Sequence, residues 1–249
     1  MTKSNKILTD ILAEDRNFLM EHESKDFLSK YGIPVGKYKV VKTKSEAITF
    51  ANEIGYPIVA KLMSPDIIHK TEAKVIRLNI TSDEELRNAY DEIIINAKKY
   101  KSDVSIIGVN IQKMAEAGVA EIIIGAVRDK NFGPVLMFGF GGIFVEIFKD
   151  VSYRVCPINK EEARRMVRGI KAFPLLDGYR GQIKGDIDQL IGVMLKCCKL
   201  LLENSQIIEL DLNPVIVFEI GKGILVVDAR IILKEEDWDA KIERIWWFF

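Results

Sequence analysis

Within the run IIELDLNPV, the oxygen-bearing side chains Glu209, Asp211 and Asn213 alternate with Ile208, Leu210 and Leu212. A strand points successive side chains to opposite faces, so the polar groups share one face and the aliphatic ones the other. The chain turns at Gly221-Lys222-Gly223 and an apolar run follows over residues 223–229, which predicts a hairpin with Asp228 roughly opposite Asp211. Carboxylate and carboxamide oxygens gathered in this way suit a hard cation such as Mg2+, whose retained waters phosphate oxygens can replace. Asp211, Asn213 and Asp228 are therefore the candidate metal ligands. The alternative is a solvated strand end with a turn at Asn213-Pro214.

Other residues extend that chemistry. Lys61 interrupts the apolar segment PIVAKL; from a strand it could reach a nucleotide phosphate as a point charge, or snorkel at a sheet edge. His69 closes the polar stretch SPDIIH, and imidazole exchanges protons or carries a phosphoryl group near neutral pH. Glu121, in VAEIIIG, shares a strand face with Ile123 and could present its carboxylate to a ribose or stand on a half-exposed polar face. In GFGGIFVEIFKD, Gly139, Gly141 and Gly142 permit close backbone approach to a phosphate or substrate, with Glu146 on the following strand. That run matches neither the phosphate loop nor the dinucleotide fingerprint, and a tight turn or bulge also explains it. Arg154, between Tyr153 and Val155, and Arg180, in the turn-rich PLLDGYRG, are the arginines that could neutralise phosphate charge.

Positioning these groups requires strands and helices in alternation. Apolar spacing predicts helices over residues 7–19 and 23–31, with Gly32 and Pro34 ending the second. Strands follow at 37–41, 57–62 and 74–80, and Thr43/Glu46 and Ser82/Glu85 form capping boxes for helices that end near Gly55 and Tyr100. The run 103–114 reads as a strand crossing into a second lobe. That lobe holds strands around VAEIIIGAVRD, residues 135–138 and Arg154, helices over 159–169 and 186–204, and the acidic hairpin. The pattern is α+β (α/β). The apolar tail Ile245-Trp246-Trp247-Phe248-Phe249 would be a liability if free, so docking is expected.

Composition narrows the function classes. A chain of 249 residues, 48% hydrophobic, can bury a substantial core in one domain or two lobes. Lys plus Arg and Asp plus Glu balance at 36 each and are interspersed, which argues against nucleic acid. Cys156, Cys197 and Cys198 offer no paired framework or zinc spacing, which fits a reducing cytoplasm. The start lacks a long apolar core and no apolar run reaches membrane-spanning length, so a soluble protein is expected.

Read in order, YGIP at 31–34, IGYPIVAKLMSPDIIHK, FGPVLMFGFGGIFVEIFKDVSYRVCPI, the Arg180-Gly181 loop, ELDLNPV and VDARI at 227–231 resemble the ATP-grasp superfamily. Within it they are similar to the nucleotide-binding beta subunits of archaeal ADP-forming acetyl-CoA synthetases, relatives of the succinyl-CoA synthetases. The resemblance implies an ATP-grasp fold in which two α/β lobes clasp ATP or ADP with Mg2+. Its expected divisions are a helical segment 1–30, a first lobe 31–110, a second lobe 111–232 with the metal hairpin, and a docked tail 233–249. It implies that Lys61 contacts phosphate, that Glu121 lies near the adenosine, and that Asp211 and Asn213 are paired metal ligands with Asp228 beside them. It further implies that His69 relays a phosphoryl group between an alpha-subunit histidine and ADP, with Arg154 or Arg180 spreading the transferring charge.

An alpha subunit would supply the CoA-binding and ligase domains, in an α2β2 assembly acting on acyl-CoA, phosphate and ADP. One departure stands out: relatives place two glycines after HKSD and a small residue, whereas HKTEAKVI puts Lys74 and Val75 there, and valine resists positive φ. The rival readings are a self-contained ATP-grasp carboxylate–amine ligase and a catalytically silent nucleotide-binding regulatory subunit.

Overall fold

The computed structural model describes residues 3–14, 16–67, 70–142 and 149–234. His69, Glu146 and the apolar tail lie outside the described residues. The chain opens with α1 (Lys3–Ala13), β1 (Phe18–Leu19) and α2 (Glu21–Lys30), where Glu23 turns back to accept the Met20 N–H at 2.8 Å. Phe18 and Leu19 were expected to continue a helix; instead they pair with Ile232 and Ile231. Two residues carry no periodicity of their own, and the backbone of a distant strand decides their conformation.

The smaller sheet contains β2 (Tyr38–Val41), β3 (Ile58–Met63), β4 (Ile76–Ile80) and β5 (Gly108–Lys113), in the order β2-β5-β3-β4. Helices α3 (Lys44–Ile54) and α4 (Asp83–Tyr100) begin where Thr43 and Ser82 accept the N–H groups of Glu46 and Glu85. They cover one face, burying Ala60, Leu62, Val109 and Ile111 with Leu86 and Ile93. Alternation therefore puts Lys61, paired directly with Asn110, on the uncovered face. β5 lies inside this sheet, between β2 and β3. The expectation that 103–114 crosses to the second lobe is thus corrected, and the boundary expected at 110 falls within a strand.

The larger sheet runs β1-β11-β9-β6-β7-β8, with β10 on β9. Its strands are β6 (Ala120–Asp129), β7 (Gly133–Phe140), β8 (Val151–Val155), β9 (Ile207–Val217), β10 (Ile224–Val226) and β11 (Ala229–Leu233); α5 (Lys160–Arg168), α6 (Phe173–Leu176) and α7 (Ile187–Glu203) lie between β8 and β9. Leu210, Leu212, Ile124, Leu136 and Phe138 pack under Leu190, Met194 and Leu201 of α7. Asp186 caps α7 through the Gln189 N–H, while its other oxygen accepts from Gly221 and Gly223 in the β9–β10 turn. Cys156, just beyond β8, is joined to Cys198 in a disulfide, with Cys197 a buried free thiol; this corrects the reading of the cysteines as unpaired. No helix among the described residues is long and apolar enough to cross a membrane.

Candidate active site

A cleft of about 530 Å3 opens where the uncovered faces of the two sheets meet. Asp211, Asn213, Asp228 and Arg230 line one side, while Met63, Ser64 and Lys70 line the other. The β9 alternation works as its sequence suggests: Leu210 and Leu212 are buried in the α7-covered core, and Asp211 and Asn213 face the cleft. The residue opposite Asp211 is Arg230, however, not Asp228. Val226 pairs with Val215 and Ala229 with Leu212, so the register carried through the gap sets Asp228 against Asn213. Asn213 and Pro214 lie inside β9 and form no turn.

The Asp211 carboxyl is pushed up to about 6 by burial and by the nearby Glu209 charge, with Asp228 adding to the effect and Arg230 opposing it. Its Oδ1 is buried without a hydrogen-bond partner. A carboxylate held this way has too little countercharge, since Arg230 only partly offsets burial, and a cation in the cleft would supply the rest. No group of three or more His, Cys, Asp or Glu is gathered for a metal among the described residues. Two aspartates and one carboxamide nevertheless fit Mg2+, which needs only one or two carboxylates when waters and phosphate oxygens complete its shell.

From the small sheet, Lys61, buried beside this cleft, reaches Asp228 of the larger lobe. Its Nζ donates to Asp228 Oδ2 at 3.1 Å and to Glu21 Oε1 at 2.9 Å. Burial works against the Lys61 charge, but the two carboxylates more than offset it and raise the pKa above the ordinary lysine value. Glu21, on the first turn of α2, also accepts from Lys25 at 2.8 Å and from Lys70 at 3.2 Å. Burial opposes ionisation here too, yet Lys61, Lys25 and Lys70 together bring the Glu21 carboxyl down to about 2. Lys25 stays below an ordinary lysine because burial outweighs Glu21; Gln112 takes a further hydrogen bond from it at 2.7 Å.

The loop substitution resolves locally. Lys74 occupies the left-handed region at φ 54, while Val75 is fully buried in the small-lobe core and sends its N–H to Lys70 O at 3.0 Å. Lysine bears the positive φ, and valine fills apolar space.

Other expected site residues are not brought to the cleft lining. Arg154 pairs with Leu136, which pairs with Ala126 and through it with Leu210. This row belongs to the helix-covered face, opposite to that of Asp211, because directly paired residues share a face. Arg180 is exposed in a one-turn 3-10 segment at φ 53, its guanidinium 5.2 Å from the Tyr179 ring. Glu121 is exposed on β6, and its carbonyl accepts the Gly141 N–H at 2.9 Å. Gly139 falls within β7, paired with Ile123 and Val151, so it is a strand residue and not part of a loop. Gly142 alone of the three takes positive φ, at 63. The residues that sequence reasoning passed over are Glu21, Lys25, Lys70 and Arg230. The i,i+4 spacing of Glu21 and Lys25 was the available signal.

Two α/β sheets facing each other over a metal-fitting acidic wall and a lysine-bearing wall define a protein built to grip a polyanion. Residues 10–233 match the family model described as ATP-grasp domain. The chain is 50% identical over 230 residues to the acetate–CoA ligase [ADP-forming] II subunit beta of Pyrococcus furiosus, covering 92% of this chain and 97% of that one. Among solved structures it is similar to the dinucleotide-forming acetyl-coenzyme A synthetase 1 of Ca. Korarchaeum cryptofilum, in complex with coenzyme A, Ca-AMPCP and HgCl+. The TM-score is 0.89 and the identity 44%, over 93% of this chain and 100% of that one. Another form of that enzyme, with coenzyme A and Mg-AMPPCP and its phosphohistidine segment pointing towards the nucleotide-binding site, matches with a TM-score of 0.82 and 42% identity over the same shares. The chain belongs to the ATP-grasp family, in the group of ADP-forming acetate–CoA ligase beta subunits.

Proposed function

We propose that this chain is the nucleotide-binding subunit of an ADP-forming acyl-CoA synthetase and moves a phosphoryl group reversibly between a phosphohistidine and ADP. The observation that carries this reading is the Lys61–Asp228 ion pair that joins the two lobes beside the cleft. It joins a lysine able to hold a phosphate to an acid able to hold the cation that accompanies it. In this reading Asp211, Asn213 and Asp228 would hold Mg2+, which would supply neutralising charge for the nucleotide phosphates. Lys61 orients the phosphates, and His69 accepts and returns the phosphoryl group through its imidazole nitrogen. Glu121, Gly141 and Gly142, like Arg154 and Arg180, lie away from the cleft lining and need a rearrangement or another chain to act on the nucleotide.

The acid–thiol chemistry needs an alpha subunit with the CoA-binding and ligase domains, in an α2β2 assembly and a cytoplasmic setting. Lys74 at φ 54 and Val75 in the small-lobe core keep the altered loop folded without the glycines, which weighs against a silent subunit. The test combines the chain with a matching alpha subunit, Mg2+, acetyl-CoA and phosphate, without ADP, and maps phosphorylation beside a His69→Ala control. Acid-labile phosphate on His69 that is discharged as ATP when ADP is added is the expected result. Unlabelled chain in a mixture that still makes ATP would remove the relay role. No ATP from a competent alpha subunit would favour a regulatory subunit.

A further inference from the structure

Glu21 gathers lysines from separate parts of the chain around one carboxylate: Lys25 from α2, Lys61 from β3, and Lys70 from the segment leading to β4. The Glu21 side chain is 2% exposed, Lys25 is equally enclosed, and Lys70 is 21% exposed where it lines the cleft. With Asp228 included, three ammonium groups face two carboxylates. When Asp228 turns to a cation, as the proposed function requires, a single carboxylate remains against the three ammonium groups. Such an excess in a poorly solvated place is stable only with an anion beside it. Lys70 lines the cleft, and Lys61 lies behind the lining against Asp228, so these are the lysines a bound polyphosphate could meet once Asp228 turns to a cation.

We infer that Glu21 is a positioning residue for nucleotide phosphates: it holds Lys61 and Lys70 side by side at the cleft edge, and Lys70 is a second phosphate-binding cation. The carboxylate prevents the ammonium groups from separating before the ligand arrives. It is fixed at the start of α2, whose N-terminal dipole and Glu23–Met20 bond fasten that turn. A buried ion pair that served stability alone would have no reason to lead into the cleft through Lys70.

This inference rests on the proposed nucleotide site, and calorimetric titration of the full chain with Mg-ATP and with adenosine separates the two. Glu21→Gln, Glu21→Asp, Lys70→Met and, as a remote control, Lys44→Met are compared with wild type. Lys44 makes an exposed ion pair with Asp91. Expected are a loss of about tenfold or more in Mg-ATP affinity for Glu21→Gln, partial recovery in Glu21→Asp, and a loss of several-fold for Lys70→Met. Adenosine affinity and Lys44→Met should be unchanged. If Glu21→Gln lowers Tm while its folded fraction, like Lys70→Met, binds Mg-ATP as wild type does, the positioning role is overturned and the cluster is structural. Should Glu21→Gln fail to fold, Lys70→Met decides the matter alone. Wild type that binds no Mg-ATP would overturn the nucleotide reading itself, and this inference with it.

Discussion

Asp211 is held at a cost. Its carboxyl sits near 6 because burial and the charges of Glu209 and Asp228 outweigh Arg230, so its ionised form at neutral pH destabilises the metal-free protein by about 3 kcal/mol. Asp211→Asn should therefore raise the metal-free Tm by several degrees at pH 7 while weakening the stabilisation that Mg-ATP confers. Thermal melts of both proteins, with and without Mg-ATP, check this; a lower metal-free Tm for the variant would contradict it. The alternation of Glu209, Asp211 and Asn213 made this site legible, since a period of two is local information. Glu21 was not legible, because nothing in EHESKDF says that a helix-start glutamate will be enclosed by lysines at positions 61 and 70. That burial is decided by the meeting of two lobes.

At the scale of elements, Asp186 joins a helix to a hairpin. One oxygen caps α7 and the other holds the amides of Gly221 and Gly223, so the turn carrying β9 into β10 is fastened to the helix beneath it. Asp186→Ala removes the cap and leaves two amides without their acceptor, which should cost about 2 kcal/mol and several degrees of Tm. Asp186→Asn, which keeps an acceptor, should recover much of the loss in a melt; equal losses in both variants would refute the tether. Elements with local signals were read well. Thr43, Ser82 and Asn159 all cap helices as their side chains allow, and each needs only the next three residues to do so. Phe18 and Leu19 were misread, and the run at 108–113, rightly read as a strand, was given to the wrong lobe, because sheet membership depends on partners far away in sequence.

For the whole molecule, the Glu21 cluster is the electrostatic bond between α2, which packs with the larger sheet, and the smaller lobe. The folded pKa is lowered from the ordinary 4.5 to about 2. The stability it contributes is therefore complete above the unfolded value and is lost as pH falls through the folded one. The Tm gap between wild type and Glu21→Gln should be constant near neutrality and shrink between pH 4.5 and about 2. A gap that persists unchanged at the acid end would mean the carboxylate is not the source of the bond. β1 adds a further consequence, because its partner is β11, the last strand described. During synthesis the smaller lobe has all of its strands once β5 emerges, whereas Phe18 and Leu19 must wait for the far end of the chain before they can pair. Glu21 follows that strand directly, so the lysine cluster is finished late, and a ribosome-bound fragment carrying every small-lobe lysine would still lack an ordered grip on phosphate.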